Sequence, residues 1–594
     1  MTQVRGPDSP YIQDFSARVS KVLNHYETID KININGIVVH MKIIHIPEKV
    51  MWVVLVIGAI AGAVMIGWQT HKDWKSLPEA ERQPVISASA ATTEAAKFTT
   101  DHFGTDLSSY THTAILAMAP IPDTFLSQSY LEDEAQTKYR DTYLSAPLIY
   151  DVRFFKPEQI EEYEVTLDAY RRDVQTFAQV LPEDTVITDV SEDTAVEAAR
   201  AYVARVAHVD ASKLALHHKE EKKLPGGTVR TITLAWQGSE VDSKYGKGFV
   251  TFVLDLRGET VTSFGKSFEY PEPYEREITK SVTMGGIVGL GSMLAWVIML
   301  VAALVVTIRF FIAHIAQWKP ALVVTIALSI LTTIDFANNY AALLSGYSTV
   351  DSMTMYTITA LIGLAFAVIL TGLMFILPAT AGYTLAVSTY RDRIAPLMTL
   401  PTTAESRRSY RASILRGYLL GIMFLGFTFA LYWVGKAYCG VWSPVNDPME
   451  TIGLNSIVPA FTMIVTLGIG AAVTEEVTFR LFGILWLRRI TKSTFLAVLF
   501  ATAVWAFAHT DGSTLPVWFR GVEVFAGGLL FAYFFIRYNI LTTMTAHYVH
   551  NILLACSLLY FTFGKGQIIP MILIFAMPAI VYAIIELVVA KRGV

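Results

Sequence analysis

Cysteine is nearly absent from this chain: Cys439 and Cys556 are the only two in 594 residues. One falls in an expected loop and the other in an expected span, which excludes a disulfide framework and a cysteine-rich metal site. Charge is scarce as well, at 16% of residues with a net charge of -4. Without a basic excess the electrostatic footprint of a nucleic-acid binder is missing. Little charge beside 53% hydrophobic residues and a mean hydropathy of +0.43 excludes a single soluble globular domain. A membrane protein with a sizeable soluble part fits those numbers. Several protease signatures are missing too. There is no HExxH, no GxSG followed by a suitably placed His, and no paired Asp/GxGD pattern. The usual zincin, serine and aspartyl arrangements therefore do not apply.

Residues 1–48 are polar and end in KININGIVVHMKIIHIPEK, which reads as a cytoplasmic segment with a short β element or interfacial stretch. The apolar run within 49–68 is long enough to cross a bilayer and has no small-residue cleavage site, so it reads as an anchor that stays. Residues 69–280 hold no spanning segment and form a soluble α+β domain. EAAK at 94–97 answers EAAR at 197–200, and VTLDAYRRDVQTF at 165–177 answers FVLDLRGETVTSF at 252–264. In both halves a helix-forming stretch leads into alternation of apolar and polar residues, which predicts an internal duplication. In the second half, TVRTITLAWQ and GFVTFVLDLRGETVTSF predict strands around turns at Pro225-Gly226-Gly227 and Arg257-Gly258. This strand pattern is loosely similar to tandem PepSY-type extracytoplasmic modules, which implies a domain that binds a peptide or protein ligand or shields something. An inert spacer is the plainer alternative.

From about residue 283 the chain becomes a series of apolar runs, near 283–308, 320–343, 356–380, 414–435, 457–487, 494–510, 521–537, 540–558 and 567–589. With the anchor they make about ten spans, divided into helices and an Arg-rich loop over 281–410 and a last membrane domain over 411–594. Arg309, Lys319, Arg391, Arg393, Arg407, Arg408, Arg411, Arg488, Arg489, Lys492, Arg537, Lys591 and Arg592 fall in every second loop, while the alternate loops hold almost no Lys or Arg. The positive-inside rule then places both termini in the cytoplasm and residues 69–280 outside it.

The last membrane domain combines ionisable groups with apolar surroundings at Glu475-Glu476-x-x-x-Arg480, Trp505-x-x-x-His509 and His547-x-x-x-Asn551. A carboxylate in hydrocarbon costs several kcal/mol unless it is paired or employed. On an α-helix the i,i+4 spacing pairs Glu476 with Arg480 and turns Glu475 about 100° away. Counted back from the basic turn 488–492, Glu475 and His509 both lie about 20 Å deep. Counted from Asn539, His547 and Asn551 lie about 12 to 18 Å deep, so the three motifs reach one zone. Peptide hydrolysis needs a base to activate water and donors for the developing oxyanion. Glu475 suits the base, His509 would orient the water, His547 and Asn551 would donate to the oxyanion, and Glu476 with Arg480 would fix the helix. Glu475, His509 and His547 would equally supply three ligands to Zn(2+) or another divalent metal, leaving a position for water.

EEVTFR, followed on successive helices by aromatic-x-x-x-His and His-x-x-x-Asn, resembles the CPBP family, the CAAX-protease and bacteriocin-processing (Abi) intramembrane peptidases. The resemblance covers about residues 410–590 and implies a polytopic helical core, a membrane-associated protein or peptide substrate, and the cell membrane of a bacterium. The family's second motif commonly begins with Phe; Trp505 in its place is expected to alter packing more than chemistry. A degenerate, non-catalytic scaffold is one alternative, and a transporter or receptor whose outer domain captures a ligand is another. A transporter would show paired repeats, and EExxxR occurs once. Asp335, Asn338 and Asn339 read either as cavity lining or as packing between helices.

Overall fold

The computed structural model describes residues 32–34, 37–39, 46–119, 123–144, 146–389, 401–442, 453–510 and 514–591. Arg391, Arg393 and Arg592 of the charge pattern lie outside these residues. Strands β1 (Ile32–Ile34) and β2 (Ile37–Val39) pair antiparallel within the stretch read as a short β element. Helix α1 (Glu48–Ser76) is the anchor, and it runs two turns beyond the apolar run that announces it.

In the soluble domain each half opens on a helix and continues into antiparallel strands, but the first half has a further helix between its first two strands and the second has an extra strand. Helix α2 (Ala88–Phe103) precedes β3 (Thr111–Met118), α3 (Asp133–Tyr143), β4 (Leu148–Phe155), β5 (Glu162–Asp168) and β6 (Val174–Val180). Helix α4 (Glu192–Val206) then precedes β7 (Leu214–Leu224), β8 (Gly227–Trp236), β9 (Val241–Ser243), β10 (Gly246–Arg257) and β11 (Thr260–Glu269). Each lead helix starts on a serine that accepts from a backbone N–H, Ser87 from Ala90 at 3.1 Å and Ser191 from Thr194 at 3.2 Å. Such caps satisfy a donor the helix leaves open. The strands form one antiparallel sheet in the order β3-β4-β5-β6-β11-β10-β8-β7, with β9 on β10. Its register lines up Val152 with Val165 and Leu254 with both Phe264 and Ile232. These side chains, with Ala91, Ala95, Ala199 and Val203 of the helices, are buried in one core. Alternation on half-buried strands is what makes that face continuous.

Among the described residues, eight helical stretches are long and apolar enough to cross a membrane, which makes this an integral membrane protein. After α1 come α5 (Glu272–Ile312), α6 (Trp318–Asn338), α7 (Met353–Thr389), α8 (Ala404–Tyr438), α9 (Pro459–Thr491) and, beyond the shorter α10 (Thr494–Phe507), α11 (Trp518–Arg537). The last stretch holds α12 (Ile540–Phe563) and α13 (Ile568–Lys591), separated by a turn in which Gly564 has φ +70°. Each expected run falls on a helix, but the expected count of about ten spans is corrected: α10, with 14 residues, is too short to cross, and α12 and α13 belong to one stretch. α1 lies directly against α8, where a Cβ on Gly426 would come within 2.2 Å of the Cα of Gly62. Small residues allow this approach when no hydrophobic drive separates helix from lipid.

The sheet domain is fastened to the membrane helices. Asn455 inserts its amide into the edge of β3, accepting from Leu116 N at 2.7 Å and donating to Leu116 O at 2.8 Å. Val85 N donates to Thr562 O at 2.9 Å, and Arg153 donates to Tyr347 O at 2.5 Å. Three residues after Asn455, the chain enters α9 through a second polar knot. Thr462 Oγ1 donates to Asp335 Oδ1 at 2.6 Å and accepts from Asn338 and Asn339 at 2.9 and 3.1 Å. Asp335, Asn338 and Asn339 thus serve helix packing at the entrance to α9.

Candidate active site

α9 carries the first motif and does not wind as one α-helix. Ile464–Gly470 and Glu476–Ile484 are π-helical, with α-helical turns at Pro459–Met463, Ala471–Glu475 and Leu485–Thr491 around them. The expectation of an α-helix through Arg480 is corrected here. An i→i+5 winding takes up an extra residue per turn, and such segments occur often at functional sites. Both carboxylates face His547. The imidazole Nδ1 lies 3.0 Å from Glu476 Oε1, and its Nε2 lies 3.9 Å from Glu475 Oε2.

Glu476 and Arg480 form the expected pair, with Nη1 3.0 Å from Oε1. Their side chains are 0% and 1% exposed, so neither has water to fall back on. A second neighbour stands beside each charge, although Glu476 Oε2 and both Arg480 Nη atoms make no hydrogen bond. For Glu476 it is His547; for Arg480 it is the face of the Trp505 ring, whose centroid is 4.0 Å from the guanidinium carbon. Glu475 is 22% exposed. Of the two glutamates it alone is partly exposed.

α10 brings the second motif beside the first. Trp505 Nε1–H donates to Glu475 Oε2 at 2.5 Å, and the Trp505 ring stands edge-on to His509 and His547 at 5.3 and 5.9 Å. His509 follows the end of α10 in a turn, its Nδ1 2.8 Å from the Trp505 carbonyl. With Nδ1 donating there, Nε2 carries the lone pair away from the helix. Asn551 is placed differently from the rest, donating its Nδ2 to Leu467 O at 2.7 Å. It ties α12 to the first π segment, and its other N–H is not used in that bond.

Glu475, His509 and His547 do not close into a metal set as placed. Among the described residues no three His, Cys, Asp or Glu side chains gather as a metal-holding group. A tetrahedral ion about 2.0 to 2.1 Å from both Glu475 Oε2 and His547 Nε2 would draw those atoms to about 3.4 Å, inside the 3.9 Å observed. A water at ordinary hydrogen-bond distance from both atoms subtends about 90°, which fits.

A further buried carboxylate lies outside the three sequence motifs. Glu523, 3% exposed on α11, accepts from Arg520 at 2.6 Å and from Thr428 of α8 at 3.2 Å. A carboxylate inside an apolar run was the available signal. Trp505 reads from its motif as packing, yet an indole buried to 4% exposure needs an acceptor for its N–H. His550 meets the Phe424 ring at 4.5 Å, tilted by 32°.

The comparisons with known proteins fall on this same segment. Residues 457–553 match the Rce1-like family, type II CAAX prenyl endopeptidases. The match contains all three motifs and leaves the sheet domain outside it. The chain is also 24% identical over 145 residues to the sporulation-killing factor biosynthesis protein SkfC of Bacillus subtilis (strain 168). That alignment covers 24% of this chain and 28% of SkfC, so the chain spans under a third of that relative. No solved structure matches the chain. At the level of the family, the resemblance to CAAX-protease-like intramembrane peptidases holds.

Proposed function

We propose that the protein is an intramembrane endopeptidase in which Glu475 activates a water held between its carboxylate and His547. The reading rests on one observation: within the Rce1-like segment, the partly exposed Glu475 lies against Trp505 and 3.9 Å from His547. Glu475 takes a proton from the water, the hydroxide attacks the scissile carbonyl, and the proton passes to the leaving amine. His509, whose Nδ1 faces the Trp505 carbonyl, orients the substrate or the water through Nε2. The remaining N–H of Asn551 is available to the oxyanion. Glu476, Arg480 and His547 Nδ1 hold this geometry. No step is drawn through a divalent metal, because the three candidate ligands do not fit one as placed.

The substrate in this reading is a membrane-associated protein or peptide, prenylated where the cell makes such proteins. The termini lie in the cytoplasm of a bacterial cell and the sheet domain outside it. A lead helix followed by antiparallel strands in each half supports a PepSY-like duplication whose role is to present or withhold substrate above the membrane. The deciding experiment is cleavage of membrane-spanning peptides by the purified full-length protein, with Glu475→Ala and His509→Ala as controls. Wild-type cleavage with both variants at background supports the reading, and equal cleavage by all three removes it. A chelator added to the wild-type reaction tests the metal: unchanged cleavage fits the water-only site, and loss restored by Zn(2+) returns Glu475, His509 and His547 to the role of ligands.

A further inference from the structure

Trp505 stands where the resembled family commonly has Phe, and the sequence assigns that change to packing. Its surroundings show more. The indole Nε1 is a donor with no acceptor capacity, and it points at Glu475 Oε2 from 2.5 Å. That oxygen is the one facing His547 Nε2. The face of the same ring carries Arg480 at 4.0 Å. One side chain therefore touches the exposed glutamate, the buried cation and the rings of both histidines. A phenyl ring would keep the faces and lose the N–H.

The socket is shaped for an indole. A Cβ on Gly528 of α11 would stand 2.8 Å from Cζ3 and 2.9 Å from Cε3 of Trp505, atoms of the six-membered ring. Any side chain at 528 would push the ring out, and the N–H with it. The absence of a side chain on α11 and the bond to Glu475 are independent observations that converge on one ring position.

We propose that Trp505 is the positioning residue for Glu475, its indole N–H fixing Oε2 at the water site shared with His547. The inference rests on the peptidase reading. Without the N–H the carboxylate rotates freely, and the productive geometry is one of several. Because the effect falls on the geometry of the base, kcat falls while KM holds.

The test replaces Trp505 with β-(3-benzothienyl)alanine, which keeps the bicyclic shape and puts sulfur in place of N–H. In the full-length protein this variant is expected to keep the wild-type thermal midpoint and KM and to lose about tenfold or more in kcat, the scale of a hydrogen bond to a charged group. Trp505→Phe should lose at least as much in kcat. A second readout needs no cleavage. The indole proton resonance of Trp505, identified by its disappearance in W505F, should move upfield in E475A as the acceptor is removed. Wild-type kcat in the benzothienyl variant overturns the inference, as does an indole resonance unmoved by E475A. If instead E475A cleaves like wild type, the peptidase reading fails, and the resonance still decides whether Trp505 holds Glu475.

Discussion

In the sheet domain Lys222 and Glu183 meet at 3.6 Å with 70% and 66% of their side chains in solvent, whereas in the membrane core Glu476 and Arg480 meet at 3.0 Å with almost none. The surface pair exchanges one hydrated state for another, and its attraction is screened to about 1 kcal/mol or less. The buried pair has no hydration to return to. It is stable only as part of a network, which is why His547 and the face of Trp505 come from two other helices to complete it. The same demand explains how the site is assembled. Satisfying Glu476 and Arg480 draws α10 and α12 onto α9, and Glu475 is left at the edge of the network with its carboxylate aimed.

Breaking the buried pair should therefore produce the largest effect. Arg480→Ala strands Glu476 in the core and is expected to cost about 3–5 kcal/mol, seen as a fall in the thermal unfolding midpoint in detergent together with loss of cleavage. Replacing both partners by apolar residues of similar volume, Glu476→Leu with Arg480→Met, should recover most of the stability and none of the activity. A wild-type midpoint for Arg480→Ala would erase the contrast between the two regions. Next in size is Thr462→Val at the entrance of α9. It removes a donor from Asp335 and an acceptor from Asn338 and Asn339, for an expected cost of about 1–3 kcal/mol by the same measurement.

The sequence made the site legible because ionisable groups in apolar spans are few and countable. Glu475, Glu476, Arg480, His509 and His547 are candidates on that ground, and the structure puts Trp505 against Glu475, Arg480 and both histidines. The π winding was not legible, since a helix apolar on most faces carries no phase from which a period can be read. The N–H of Trp505 was in plain view, yet an aromatic in a motif reads as packing unless its donor is counted. In the sheet domain, β8, β10 and β11 stood out through strict alternation at turn signals. Asn455 had no signal at all, because a side chain that imitates a strand's backbone leaves no periodic trace.

Asn455 lies between the two regions and sharpens the comparison from the middle. Its two bonds to Leu116 are ordinary neutral hydrogen bonds at a partly buried site. Asn455→Ala should cost about 1–2 kcal/mol and raise amide exchange locally at β3, leaving α9 protected below Thr462. Exchange that spreads down α9 to Glu475 would show that the sheet domain and the candidate site form one cooperative unit.

At the far end of the scale is the solvent-exposed pair itself. Lys222 is on β7, an edge strand that pairs only with β8 and is exposed along nearly its whole length. Edge charges of this kind discourage pairing with another chain more than they stabilise the fold. Lys222→Ala should change stability by no more than about 0.5 kcal/mol, within the range of surface substitutions. Its measurable consequence is expected elsewhere, in a greater tendency of the full-length protein to self-associate in light scattering at equal concentration. If Lys222→Ala instead lowered the midpoint as much as Thr462→Val does, the two regions would not differ in how they hold charge. Burial would then not be the variable that separates a charge with a chemical task from one that only keeps the surface wet.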